Sequence, residues 1–131
     1  MNVLLSKSHV VSIHASQSDE TVGMIGKVEL SLMKKTAVLV NTARAEIVDG
    51  FALFDSLKDG QISSAAFDAY YVEPLPKPEK DEYKLMSLPN DKFILTPHNA
   101  YNSSDAVEAM GKMVIESLEE VFAGKKPKHK V

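Results

Sequence analysis

The chain reads as an α/β protein, a parallel sheet with flanking helices. Three observations carry that reading. Short β-branched apolar runs alternate with segments whose apolar residues recur every three or four positions. The connections between the runs are long enough for right-handed crossovers. The polar residues able to do chemistry stand just after the runs, where open α/β sheets hold their ligands.

Met1 to Lys7 reads as the tail of a helix leading into a strand. His9 to Ile13, His-Val-Val-Ser-Ile, is the first strand, expected to be buried on both faces of the sheet. His14 to Glu20 is a polar loop. Thr21 to Met33 carries Met24, Ile25, Val28, Leu32 and Met33 on one helical face, with Lys34 and Lys35 suited to the negative pole of that helix. Thr36 to Val40 is the second strand, stopping at Asn41-Thr42-Ala43-Arg44. Phe51, Leu53, Phe54 and Leu57 give the next helix its apolar side, and Gly60 terminates it. Asp49 and the acids from Asp55 to Asp59 read as a solvated face.

Ile62 to Phe67 is the third strand, ending at Asp68. Tyr71 to Asp91 has no helical period and is punctuated by Pro74, Pro76, Pro78 and Pro89, which predicts a long ordered loop. Lys92 to Leu95 is the fourth strand. A final helix starts among Asn102-Ser103-Ser104-Asp105, ends at Gly124 and is expected to bury Val107, Met110, Val114, Leu118, Val121 and Phe122. Met24, Met33, Met110 and Met113 read as core filling on helices.

With 131 residues, 44% hydrophobic and 25% charged, the chain is one domain's worth of soluble globular protein. A net charge of −3 gives no broad basic field for nucleic acid. The basic cluster Lys125-Lys126-Pro127-Lys128-His129-Lys130 reads as a solvated end. Zero cysteines exclude disulfides and thiolate metal sites and fit a reducing compartment, so the cytoplasm is the expected location. No apolar run reaches the ~18 residues of a membrane span. The four histidines lack the spacing of common zinc motifs, and no metal is expected.

Arg44, Glu73 and His98 are each expected at the end of a strand. Taken singly they have plain structural readings as a surface ion pair, a loop carboxylate and a packed loop histidine. As a set they supply a carboxylate clamp, a carboxylate and an imidazole. Those are the groups needed to hold a 2-keto or 2-hydroxy acid and move a proton on its oxygen. His14, Thr42 to Arg44, Asp68 and His98 all fall at carboxyl ends of strands, so one sheet edge gathers them.

These residues carry a resemblance. The chain resembles the second half of the NAD-binding domain of the D-isomer-specific 2-hydroxyacid dehydrogenases, from about Leu4 to Phe122. The matching stretches are Val11-Ser12-Ile13-His14, Glu20-Thr21-Val22-Gly23-Met24-Ile25-Gly26, Asn41-Thr42-Ala43-Arg44 with Ile47-Val48-Asp49, Ala65-Ala66-Phe67-Asp68 with Glu73-Pro74-Leu75-Pro76, and Leu88-Pro89-Asn90 with Leu95-Thr96-Pro97-His98. The resemblance implies a Rossmann-like fold, with residues 1–131 a partial NAD-binding domain whose helix 104–122 returns toward a substrate domain.

It further implies an oxidoreductase in which Arg44 binds the substrate carboxylate and carbonyl, His98 is the general acid-base and Glu73 pairs with it. A guanidinium presents parallel N–H donors that a lysine lacks. A carboxylate beside an imidazole favours its protonated form, keeping a proton available to a developing alkoxide near neutral pH. Asp68 is implied to orient the nicotinamide carboxamide, and Ala15, Ser16, Thr21, Thr42 and Ala43 to line the cofactor cleft. The implied cofactor is NAD, with NADP left open. His14 is left between cofactor contact and a bond to the sheet edge.

Three positions depart from the family pattern. Ser16 stands in place of a proline, and Ala45 and Tyr101 in place of glycines; Ala45 matters if that site needs a positive φ. None of the six glycines forms Gly-x-Gly-x-x-Gly, so the resemblance implies a fragment that needs an N-terminal half or a partner chain and is inactive alone. The sheet edge left open predicts a homo-oligomer. The alternative is a non-catalytic binding or assembly module of the same fold, as in the C-terminal-binding corepressors.

Overall fold

The structure is a computed structural model that describes residues 1–99 and 101–129. Lys130 of the basic end lies outside the described residues. The chain divides into two compact units, Met1–His98 and Asn99–Val131.

The first unit opens with α1 (Asn2–Lys7) and β1 (Val10–Ile13), followed by α2 (Lys27–Leu32), β2 (Val38–Asn41), α3 (Gly50–Lys58), β3 (Ser64–Phe67) and β4 (Phe93–Leu95). The four strands form one parallel sheet in the order β1-β2-β3-β4. Sequence order equals spatial order. Every polar residue that follows a strand therefore emerges on the same edge, which is how the fold collects the site.

The register separates two faces. Val11, Leu39, Ala65 and Phe93 align across the strands, as do Ile13, Asn41 and Phe67, and all seven are buried. Leu30 of α2 and Leu53 and Leu57 of α3 join them in one core. The opposite face carries Val10 and Ile94, both exposed, with Val38, Val40 and Ala66 only half-buried. The expectation that β1 is buried on both faces is thus corrected. A short apolar run says that two faces want cover; it does not say where the cover comes from.

The segment from Thr21 is also corrected. Its first part is not helical: Gly23 takes φ 66°, a left-handed conformation suited to glycine, and Ile25 makes a parallel bridge to Val48. Helix α2 starts only after Gly26, whose amide donates to the Glu29 carboxylate at 3.1 Å. Val28 is exposed. Lys34 serves a different helix, its ammonium donating to the Lys7 carbonyl at the end of α1.

Helix α3 ends as expected, with Gly60 at φ 69°. Asp49 is a cap for that helix as well as a surface acid, its Oδ1 accepting from the Ala52 amide at 3.0 Å. The proline-punctuated loop is ordered by one buried carboxylate. Asp81 accepts from the Tyr70 hydroxyl at 2.5 Å and the Tyr83 amide at 3.2 Å through Oδ1, and from the Met86 amide at 2.9 Å through Oδ2. Leu85 then plugs into the core.

The second unit is dominated by α4 (Ser104–Phe122), started by Ser103, whose hydroxyl accepts from the Ala106 amide at 3.2 Å. Its helical reading stands, but its burial does not. Val107, Met110, Val114, Leu118, Val121 and Phe122 are all exposed, as is Met113. The apolar stripe is real in the sequence, and no residue of this helix is buried in the chain. Among the described residues no helix is long and apolar enough to cross a membrane.

Candidate active site

The carboxyl ends of β1 and β2 open into a cleft of about 440 Å³ lined by His14, Ala15, Ser16, Gln17, Thr42, Ala43 and Arg44. Two local devices shape it. After β2 the chain must turn at once, and Asn41, buried in the sheet, holds the turn from both ends. Its Oδ1 accepts from the Ala43 amide at 3.0 Å and its Nδ2 donates to the Arg44 carbonyl at 2.8 Å. After β1, Thr21 ties the loop, donating its hydroxyl proton to the Ser16 carbonyl at 2.8 Å and accepting from the Ser18 amide at 2.8 Å.

Of the residues expected to contact a cofactor, Ala15, Ser16, Thr42 and Ala43 line this strand-end cavity. Thr21 does not line it; it holds Ser16 in place. Gln17 and His14 line it as well, and His14 is braced by Ser12, Nε2 to Oγ at 2.8 Å. Ala45 begins a 3-10 turn (Ala45–Ile47), is fully buried, and is absent from the positive-φ positions, so the family's glycine is not needed for backbone freedom here.

Asp68 follows β3 and is 6% exposed. Its carboxylate accepts from the Thr96 hydroxyl at 2.5 Å, and its amide donates to the Asn41 carbonyl at 3.0 Å. Thr96 thus fixes Asp68 across the β3–β4 edge. Sequence patterning does not single out Asn41 and Thr96 as anchors, although both sit inside the quoted motifs, Asn41 as the last residue of β2 and Thr96 just after β4.

Glu73 and His98 meet. The His98 Nδ1 lies 2.9 and 2.8 Å from the two Glu73 carboxylate oxygens. The side chains are 35% and 41% exposed, His98 and Glu73 respectively. The Glu73 carboxyl is held below its ordinary range, chiefly by the His98 hydrogen bond. The Tyr70 amide, donating at 3.3 Å, and the charges of His98 and Arg44 add to this, against a contribution from burial. Arg44 therefore bears electrostatically on the pair, while its own Nη1 donates to the Ala43 carbonyl at 2.9 Å. His98 adopts φ 52°, a left-handed conformation rare for a residue with a Cβ. Such backbone is found where the surroundings over-determine it, and at functional sites more than elsewhere.

Among the described residues no group of three or more histidines and carboxylates could hold a metal ion. The cleft fits an organic ligand instead. Hydroxyl, amide and guanidinium groups at the ends of two adjacent parallel strands are the donor set that suits a nucleotide's polar parts.

Comparison with known proteins agrees with this geometry. The family model for the D-isomer specific 2-hydroxyacid dehydrogenase NAD binding domain matches residues 1–100. A glycerate dehydrogenase of Methylorubrum extorquens is 36% identical over 125 residues, covering 95% of this chain and 38% of the relative. A glyoxylate reductase of Korarchaeum cryptofilum is 41% identical over 115 residues, covering 88% and 33%. The fold superposes with TM-score 0.83 and 30% identity on an NAD-complexed D-isomer specific 2-hydroxyacid dehydrogenase from Lactobacillus delbrueckii, over 97% of this chain and 40% of that one. The chain thus spans well under half the length of the relatives it matches. With its parallel sheet, its strand-end cleft and its matched motifs, the chain belongs to the D-isomer-specific 2-hydroxyacid dehydrogenase family, as part of the NAD-binding domain.

Proposed function

We propose that this chain is the substrate- and nicotinamide-facing part of an NAD-dependent D-2-hydroxyacid dehydrogenase that interconverts a small 2-keto acid and its 2-hydroxy acid. The observation that carries the proposal is the Glu73–His98 pair at 2.8 Å, with Arg44 close enough to act on its charge. Arg44 holds the substrate carboxylate through its forked donors. His98 turns Nδ1 to Glu73, so Nε2 is the nitrogen that gives a proton to the carbonyl oxygen as the alkoxide forms and takes it back in the reverse direction. Glu73 orients the ring through that hydrogen bond. NAD, or NADP, when bound supplies the hydride acceptor or donor. Ala15, Ser16, Thr42 and Ala43 are its cleft, Thr21 secures the loop beneath it, and Asp68 receives the nicotinamide carboxamide.

Grip on the pyrophosphate requires a glycine-rich turn that this sequence does not contain, so the working enzyme includes a first half supplied upstream or by a partner chain. The proposed location is the cytoplasm. The test is NADH oxidation with a panel of 2-keto acids, run on this chain alone and fused to the first half of a relative such as the glyoxylate reductase. The fusion is expected to turn over and the chain alone not to. His98→Gln in the fusion should then lower kcat by ~10²–10⁴. Ordinary turnover by the chain alone, or a fully active His98→Gln fusion, overturns the proposal.

A second reading, a non-catalytic assembly module, is favoured by one observation. Helix α4 leaves eight large apolar side chains exposed between Val107 and Phe122. On that reading the fusion shows no turnover for His98→Gln to lower, and a homo-oligomer forms without cofactor.

A further inference from the structure

Away from the strand-end cleft, a second groove of about 280 Å³ runs between the turn at Val22 and Gly23 and the start of α3. Its floor is aromatic. Tyr71, Tyr83 and Phe51 pack one against the next with tilted rings, centroids 4.3 Å apart at 41° for Tyr71–Tyr83 and 4.8 Å at 59° for Phe51–Tyr83. Two of these rings are held in place: the Tyr71 hydroxyl donates to the Val48 carbonyl at 2.9 Å, and the Tyr83 ring presses on Gly50 so closely that a Cβ there would sit 2.5 Å from it. Phe51 is nonetheless 55% exposed, and Val22 is exposed beside it. An aromatic surface is thus held rigid and left open.

Its charge is one-sided. Among the described residues Glu46 and Asp49 line the groove and no lysine, arginine or histidine does, and Glu82 precedes Tyr83 in the chain. Burial raises the Tyr83 phenol above its ordinary value, and Glu82, Asp49, Glu46 and Asp81 all raise it further. The last three act on Tyr71 as well. Rigid π faces rimmed by carboxylates attract a cation, and a planar guanidinium answers both parts, stacking on a ring while its N–H groups fork to a carboxylate. A compact ammonium answers only the charge.

We propose that this groove is a docking site for an arginine side chain of a partner polypeptide, its guanidinium laid on the exposed Phe51 ring beside Tyr83 and paired with the carboxylates of Glu46 and Glu82. Nothing in the proposed dehydrogenase chemistry uses these residues, so the two readings stand or fall separately.

Titration of the whole chain with a hexa-arginine peptide, followed by calorimetry, tests it. Saturable binding is expected, weakened at least ~10-fold by Glu46→Gln/Glu82→Gln and by Phe51→Ala, each shown folded by circular dichroism. Glu116→Gln/Glu119→Gln on α4 removes the same charge elsewhere and is expected to leave affinity within about 2-fold. Hexa-lysine is expected to bind more weakly than hexa-arginine. Absence of saturable binding, equal losses in the two double variants, or hexa-lysine binding as tightly as hexa-arginine would each overturn the proposal.

Discussion

At the scale of single residues, the site depends on small polar side chains that do no chemistry. Asn41 holds the turn that carries Thr42, Ala43 and Arg44 with two hydrogen bonds from a buried position. Asn41→Ala leaves an amide and a carbonyl without those partners, and should cost about 1–3 kcal/mol, read as a lower urea midpoint at unchanged slope. The Glu73–His98 bond makes a separate, electrostatic prediction. The folded state holds Glu73 below the ordinary carboxylate range, with His98 as the main cause, so its share of stability is present above about pH 4.3 and is lost as pH falls through the lowered value. The pair is partly exposed and therefore screened, so the readout is the titration itself. The Glu73 carboxyl carbon, followed by NMR, should titrate below the ordinary range, and His98→Gln should move its midpoint upward; an unmoved midpoint would show that another group sets it. The meeting of Glu73 with His98, and the charge of Arg44 acting on Glu73, were anticipated in the sequence because guanidinium, carboxylate and imidazole have few substitutes. Asn41 and Thr96 were not, since their work is defined by neighbours that only the fold supplies.

At the scale of elements, strands were easier to read than helix starts. The four apolar runs all became strands of one sheet, within two residues of the expected limits at each end. Helix α2 was read six residues too early, because the spacing of Met24, Ile25 and Val28 imitates a helical face while Gly23 and the Ile25–Val48 bridge demand extended and left-handed backbone. Periodicity counts apolar positions and does not see tertiary pairing. The start of α3 combines two constraints that can be separated by mutation. Asp49→Ala removes the side-chain cap on the Ala52 amide and should destabilise by about 0.5–2 kcal/mol. Gly50→Ala improves helix propensity by ~1 kcal/mol but drives a methyl into the Tyr83 ring, so overpacking of about 1–3 kcal/mol should dominate and the net change should be destabilising. Urea unfolding of both variants checks the order. A Gly50→Ala protein more stable than the parent would mean that the Tyr83 ring is not held where it lies.

At the scale of the whole molecule, apolar surface is unevenly satisfied. The core of the first unit is closed, whereas Val10 and Ile94 on the far face of its sheet and the stripe on α4 in the second unit remain exposed. The sequence made both legible as apolar but could not reveal what meets them, because a hydrophobic pattern records the need for cover without naming its source. Buried tyrosines give one global prediction. Burial above all, with Asp81 for Tyr70 and Tyr83 for Tyr71, raises both phenols in the folded state, so their contribution is complete below about pH 10 and is lost as pH rises further. Their phenolate absorbance should therefore appear together with the loss of far-ultraviolet dichroism. The exposed stripe gives the last. Eight large apolar side chains on a 19-residue helix exceed what a monomeric protein ordinarily leaves in water, and their burial against a second copy gains roughly 25 cal/mol for each Å² removed. Sedimentation should show association that grows with protein concentration, and Val114→Glu with Leu118→Glu, which place charges in the middle of the stripe, should weaken it at least ~10-fold without changing helix content. A profile that stays monomeric at high concentration, or association indifferent to both charges, would show that α4 is not the surface through which copies of this chain meet.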